Sequence, residues 1–249
     1  VSAPKAAPPR PTGRFLGLVG IAALAAFAIL VGLGTWQVQR RTWKLDLIAR
    51  VDARIHAAPA APPAREAWAA IGTDDAYRRL RVRGLFLHDR ETLVQAVTEL
   101  GGGFWVLTPL ETPDGDRFLI NRGFVPPERR DAATRAQGQF PGETTVTGLL
   151  RLSEPGGAFL RSNDPAGGRW FSRDVAAIAQ ARGLGDVAPF FIDADASANP
   201  GGLPVGGLTI IAFRNDHLVY ALTWYALALM VAAGTAYLFR DALRRPRRA

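Results

Sequence analysis

Two stretches of the chain stand apart by their lack of charge. Phe15 to Gln39 gives 25 residues without an acid or a base, and Leu218 to Phe239 gives another 22. At a helical rise of about 1.5 Å per residue, about 20 apolar residues span the hydrocarbon core of a bilayer. The pattern therefore predicts transmembrane helices over 15–39 and 217–239. A cleaved signal peptide is the competing reading of the first stretch, because Ala23-Leu24-Ala25 and Ala26-Phe27-Ala28 resemble small-x-small sites. Signal peptides carry an apolar region of only ~7–15 residues, and this run continues well past both sites.

Between the two runs the apolar period shortens from helical to alternating. Leu80–Leu87 (LRVRGLFL), Glu91–Val97, Phe104–Leu110, Arg117–Val125, Glu143–Leu152, Phe190–Asp193 and Leu208–Phe213 read as strands. Asp114-Gly115 is the expected hairpin turn between the third and fourth of these. Val175–Ala181 reads as a short helix capped by Asp174. Thr42–Ile55 continues the first span as a polar helix, residues 57–70 (AAPAAPPAREAWAA) read as a linker, and Gly101-Gly102-Gly103 as a loop between strands. Six or more short strands with Gly- and Pro-rich turns suggest a small antiparallel barrel or sandwich. The expected fold is thus a membrane protein, with two transmembrane α-helices flanking a mostly antiparallel β domain that carries a short helix. Its expected divisions are a disordered tail at 1–14, a span at 15–39, an extracytoplasmic β-rich domain at 40–216, a span at 217–239 and a basic tail at 240–249.

Charge sets the expected orientation. Residues 1–39 carry +3 with no acid, residues 240–249 carry +4, and the 177 residues between them only +1. Basic flanks mark the cytoplasmic side of membrane helices, so both termini are expected inside and the middle domain outside, which in a bacterial cell is the periplasmic side of the inner membrane. Arg40, Arg41 and Lys44 at the outer end of the first span run against this rule; the stronger C-terminal cluster decides it. A basic pI that resides in the tails does not describe a nucleic-acid-binding face, so membrane lipid, and no nucleic acid, is the expected partner of these charges. The chain has no Cys, which excludes disulfides, iron–sulfur clusters, covalent c-type haem and thiolate metal sites.

Familiar catalytic motifs are absent: no HExxH, GxSxG, P-loop or GxGxxG. No catalytic residue is expected and the chain reads as a non-enzyme. Three histidines remain. His56 and His88 are most simply solvated. His217 opens the second span, and at helical spacing His217, Tyr220 and Trp224 fall on one face, with Arg214 one turn above. Trp36 and Arg40, i and i+4, stand at the matching end of the first span. A base, an imidazole and an aromatic wall descending from the interface suit an amphipathic ring with anionic arms, such as haem, with His217 as iron ligand. An interfacial histidine wetted by headgroups, with Tyr and Trp as belt residues, is the other reading.

Four runs carry a family resemblance: GTWQVQRRTWKLDLI (34–48), YRRLRVRGLF (77–86), LTPLETPDGDRFLINRGFVP (107–126) and FRNDHLVYALTWYALAL (213–229). They resemble the Surfeit locus protein 1 family, membrane proteins that assist assembly of cytochrome c oxidase. The likeness extends from about residue 14 to 240; the 57–70 stretch and the loop around 127–142 carry none of it. It implies a factor that binds haem a transiently and aids its insertion into, or stabilisation in, the oxidase large subunit. That subunit is the implied partner, with haem a synthase a second candidate. His217 matches the position that the family uses as a haem contact. Arg40, Arg41 or Arg214 could then meet the propionates by charge-assisted bonds. A scaffold that holds the apo-subunit without touching haem is the alternative function.

Overall fold

A computed structural model of the chain describes residues 12–158 and 160–245. Most of the tail expected at 1–14 lies outside the described residues, as do Arg247 and Arg248 of the C-terminal basic run. Among the described residues, three α-helices, α1 (Gly13–His56), α2 (Val175–Arg182) and α3 (His217–Arg244), accompany six strands. The strands are β1 (Arg79–Phe86), β2 (Thr92–Thr98), β3 (Gly101–Glu111), β4 (Arg117–Val125), β5 (Thr144–Leu152) and β6 (Phe190–Ala194). The described chain divides into two compact units, residues 12–48 with 212–245, and residues 49–211.

The first unit holds the apolar runs. α1 covers 44 residues and continues beyond Gln39 through the polar sequence to His56; α3 covers 28. Both are long and apolar enough to cross a membrane. Their outer faces are bare hydrocarbon: Leu18, Ile21 and Leu24 are each 69% exposed, and Leu222, Leu229 and Met230 are likewise exposed.

The second unit is a mostly antiparallel sheet, ordered β1-β5-β6-β4-β3-β2, in which the end of β1 also pairs with β3 through Leu85↔Glu111 and Phe86↔Leu110. Five strands therefore close into a ring and β2 remains on its rim. Only β4–β6 is parallel. Closure requires two backbones to approach closely at Gly84, where an added Cβ would lie 2.3 Å from the Glu111 carbonyl oxygen. Period-two alternation then sorts the side chains. Leu80, Val82, Phe118, Ile120, Phe190 and Ile192 fill the ring, while Leu119 and Phe191 point outward against Ile178 and Leu184 of the α2 segment. β4 is buried on both faces, which explains its near-continuous apolar run. Asp174 caps α2 by accepting from the Ala177 amide at 3.1 Å. The β3–β4 turn closes at Asp114-Gly115, with Gly115 at φ 82° and its amide bonded to the Thr112 carbonyl at 3.0 Å.

Three expectations need correction. Leu208–Phe213 forms no strand. It runs beside β6 through the Gly207 amide and the Thr209 hydroxyl, but β4 and β5 already occupy both edges of β6. The Gly101–Gly103 run is not a loop; it belongs to β3 and pairs with Thr98, Val97 and Ala96. The 57–70 stretch is not a free linker. Ala60 bridges to β1 by hydrogen bonds with Arg79 and Arg81, and a 3-10 turn over Arg65–Ala70 buries Trp68 edge-on against Phe118, centroids 5.9 Å apart.

Candidate functional site

The two long helices pack through a seam. On α1, Gly34 is buried and Gly20, Ala23, Phe27, Leu30 and Gln37 are half-buried. They recur at alternating steps of three and four, the spacing of a left-handed helix pair. His217, Ala221, Trp224, Ala228, Val231 and Thr235 do the same on α3. The helices run antiparallel, since Gly20 meets Phe239, Gly34 meets Tyr225, and Gln37 meets His217. Gly34 lets Tyr225 approach: a Cβ there would stand 2.7 Å from the Tyr225 ring. The Tyr225 hydroxyl lies 3.1 Å from Thr35 Oγ1.

His217 sits at the first helical position of α3, half-buried in the seam. Its Nδ1 lies 2.7 Å from Gln37 Oε1. With the amide oxygen as acceptor, Nδ1 donates, and in the neutral ring the lone pair is then on Nε2. Gln37 thus fixes both the tautomer and the ring orientation, the arrangement that readies an imidazole for a metal or another electrophile. Among the described residues no group of three His, Cys or carboxylate side chains could hold a metal ion by itself, so an ion bound at His217 would have to bring most of its own ligands.

The other candidates are placed unequally. Trp224 falls on the seam with His217; Tyr220 is turned outward and 55% exposed. Trp36 and Arg40 lie on the same turn of α1 as Gln37, both exposed, with the Arg40 guanidinium 4.1 Å from the Trp43 ring centre. Arg214 precedes the helix and so stands outside the His217 face. Instead it pairs with Asp216 at 3.0 Å. Gln37 has no counterpart in the sequence reading. Its only advance signal is its polar side chain within an otherwise uncharged apolar run.

His56 is exposed and its Nδ1 lies 2.9 Å from the Asp52 carbonyl. His88 is not simply solvated, as the sequence suggests. Its Nε2 lies 3.1 Å from the Phe140 carbonyl, its ring packs against Phe86 and Phe140, and burial holds its pKa below the usual value. The β unit also carries two buried polar clusters. Asp193 accepts from Asn121 (2.8 Å), Arg173 (3.2 Å), Arg151 (3.1 Å) and Thr209 (3.0 Å). Glu91 is gripped at two points by the buried guanidinium of Arg135.

An antiparallel pair of apolar helices at the chain ends, with a closed, mostly antiparallel β unit between them in sequence and an oriented imidazole opening the second helix, describes a class of two-helix proteins with a folded insert. The family model for the SURF1 family matches residues 24–229, and the chain belongs to that family. It is 40% identical to Surfeit locus protein 1 of Rattus norvegicus over 88% of this chain and 74% of that protein. The human protein is equally similar, 40% identical over 86% of this chain and 74% of its own length. A SURF1-like protein of Monosiga brevicollis is 38% identical over 88% of this chain and 87% of its length.

Proposed function

We propose that this chain is a membrane-embedded assembly factor for haem–copper cytochrome c oxidase, and that it holds haem a through His217 while the cofactor is placed in the large subunit. The observation that carries the reading is the His217–Gln37 hydrogen bond. It spends the proton-bearing nitrogen on the protein and leaves Nε2 as a neutral donor suited to haem iron. The side chains present fit the group: Trp224 supplies an aromatic face beside His217, Tyr220 a second on the outer side of α3, and among the described residues Arg40 makes no ion pair with which a propionate would compete. Arg214 would have to exchange Asp216 for a propionate. The chain's own residues do the binding and orienting; the iron and macrocycle are cargo. No catalytic step is assigned, in keeping with a non-enzymatic role, and haem a synthase remains the second proposed partner.

The proposed setting is the bacterial inner membrane. Both apolar helices span it, both termini are cytoplasmic and the β unit is periplasmic, supported by the +3 and +4 tails. A reporter active only in the cytoplasm, inserted within 57–70, should be silent; activity there would overturn this orientation. A scaffold that holds the apo-subunit is the second reading, favoured by apolar side chains at the β2–β3 turn: Val97 is 87% and Leu100 52% exposed. The deciding experiment is the optical spectrum of protein purified from cells that make haem a. A Soret band that His217→Ala weakens or shifts supports haem binding. A band unchanged in position and occupancy removes His217 as ligand, and the absence of any band leaves the scaffold.

A further inference from the structure

The first apolar run ends in bases that no acid of the chain neutralises. Gln39 closes the run, and Arg40, Arg41 and Lys44 follow it directly. They stand at the opposite end of α1 from the N-terminal bases, where the charge rule for membrane flanks does not call for them. Among the described residues none of the three makes an ion pair, and Asp46, the nearest acid in sequence, makes none either. The Arg40 guanidinium lies instead 4.1 Å from the Trp43 ring centre, and the Lys44 ammonium 5.1 Å from that of Phe213. Trp36, Arg40 and Trp43, at i, i+4 and i+7, share one stripe of α1. All three are exposed, Trp36 by 55% and Trp43 by 46%, and the half-buried Gln37 that meets His217 lies on the adjoining face.

The dimensions of this stripe match one layer of a bilayer. From Trp36 to Trp43 the helix rises about 10 Å, and the headgroup layer on each side of the hydrocarbon core is about 5–8 Å thick. Trp36 belongs to the uncharged run, Arg40 follows its end and Trp43 lies beyond it. Exposed indoles are at home at that boundary, and lipid phosphates occupy the same layer. A phosphodiester offers a guanidinium two acceptor oxygens in the geometry that its planar fork prefers. A zwitterionic headgroup carries its own cation and would leave the three bases uncompensated. A headgroup with a net negative charge compensates them.

We infer that the Trp36–Arg40–Trp43 stripe binds an anionic phospholipid. Arg40 takes the phosphodiester, Arg41 and Lys44 add positive charge beside it, and the Trp36 indole lies along the upper acyl chain. The inference rests on the reading of α1 as a membrane span and not on haem binding. A haem propionate that reached Arg40 would displace the lipid.

The test uses the full chain, made without haem and reconstituted in phosphatidylcholine vesicles. A minor fraction of the lipid carries bromine on its acyl chains, as phosphatidylglycerol in one series and as phosphatidylcholine in the other. Bromine quenches tryptophan on contact, and the part of the quenching that Trp36→Phe with Trp43→Phe removes belongs to the stripe. Brominated phosphatidylglycerol is expected to quench that part more strongly at equal fraction, and to reach a plateau as its fraction rises. Arg40→Gln should reduce the preference about fivefold, the share of one basic residue in attracting anionic lipid. Arg240→Gln, an exposed base at the other end of α3, should leave the preference unchanged. Equal quenching by the two lipids would overturn the headgroup site while leaving the span in place. A preference that Arg40→Gln does not alter would overturn the site as well. The absence of quenching by either lipid would instead remove the membrane reading of α1, and the site with it.

Discussion

The Nδ1 of His217 and the amide oxygen of Gln37 lie 2.7 Å apart, joining residues 180 positions distant in sequence. Removing the acceptor is the most direct probe of that relationship. Gln37→Leu should leave the helices paired but free the imidazole to rotate and to change tautomer. If the chain holds haem as proposed, the haem is then expected to persist at several-fold lower occupancy with a shifted Soret band, since losing such an outer partner typically costs 10–100-fold in metal affinity. His56→Ala and His88→Ala, which belong to the other unit, should leave the spectrum alone.

The close approach of Gly34 and Tyr225 makes a steric prediction. A leucine at position 34 places atoms where the Tyr225 ring now sits, so the helices must part. The chain lacks cysteine, so Gly20→Cys with Phe239→Cys gives one clean pair for a short bis-maleimide. Efficient cross-linking is expected in the parent and a marked drop on adding Gly34→Leu; equal yields would show that the seam tolerates the bulk.

Glu91 and Arg135 form the buried ion pair whose breaking should be costly. Glu91→Gln leaves the guanidinium, 2% exposed as a side chain, without its charge partner, which typically costs about 3–5 kcal/mol. The double change Glu91→Leu with Arg135→Met should cost less than either single change, because no charge is then stranded. Chemical denaturation of Glu91→Gln, the two single changes and the double change measures this.

Gly115 tests the β3–β4 turn. Its φ of 82° disfavours a side chain, while an added Cβ would meet nothing within 4 Å. The penalty of Gly115→Val is therefore conformational alone, about 1–2 kcal/mol, and Gly115→Asn should recover part of it. Equal melting temperatures for the valine and asparagine variants would contradict this account.

His88 predicts a pH effect. Its pKa is held below 6.5, first by burial and then by Arg122, against the opposing hydrogen bond to Phe140. A depressed histidine pKa means that the unfolded chain takes up the proton first. Stability from this group is present above about pH 6.5 and is lost as pH falls through the folded value, at no more than about 1.4 kcal/mol per pH unit. His88→Gln should flatten the stability profile in that window, read by denaturation at pH 7 and pH 5.5.

Local periodicity was enough to place most elements. Uncharged runs of 25 and 22 residues determine long apolar helices because helix length and hydrocarbon thickness are both simple lengths. Alternation determined β1 to β6, and Asp174 and Asp114-Gly115 announced a cap and a turn, because those signals act within a few residues. Sequence also determined the family, through runs such as INRGFVP and NDHLVYALTWY. What needed tertiary structure was every relationship between distant positions. Leu208–Phe213 has strand composition but finds no open edge, because pairing depends on what its neighbours have already bonded. Trp68 reads as part of a linker until the ring supplies Phe118 to pack against. Gln37 becomes an acceptor only when the two helices meet in register. Burial and partnership are properties of the assembled chain, so no period along the sequence could encode them.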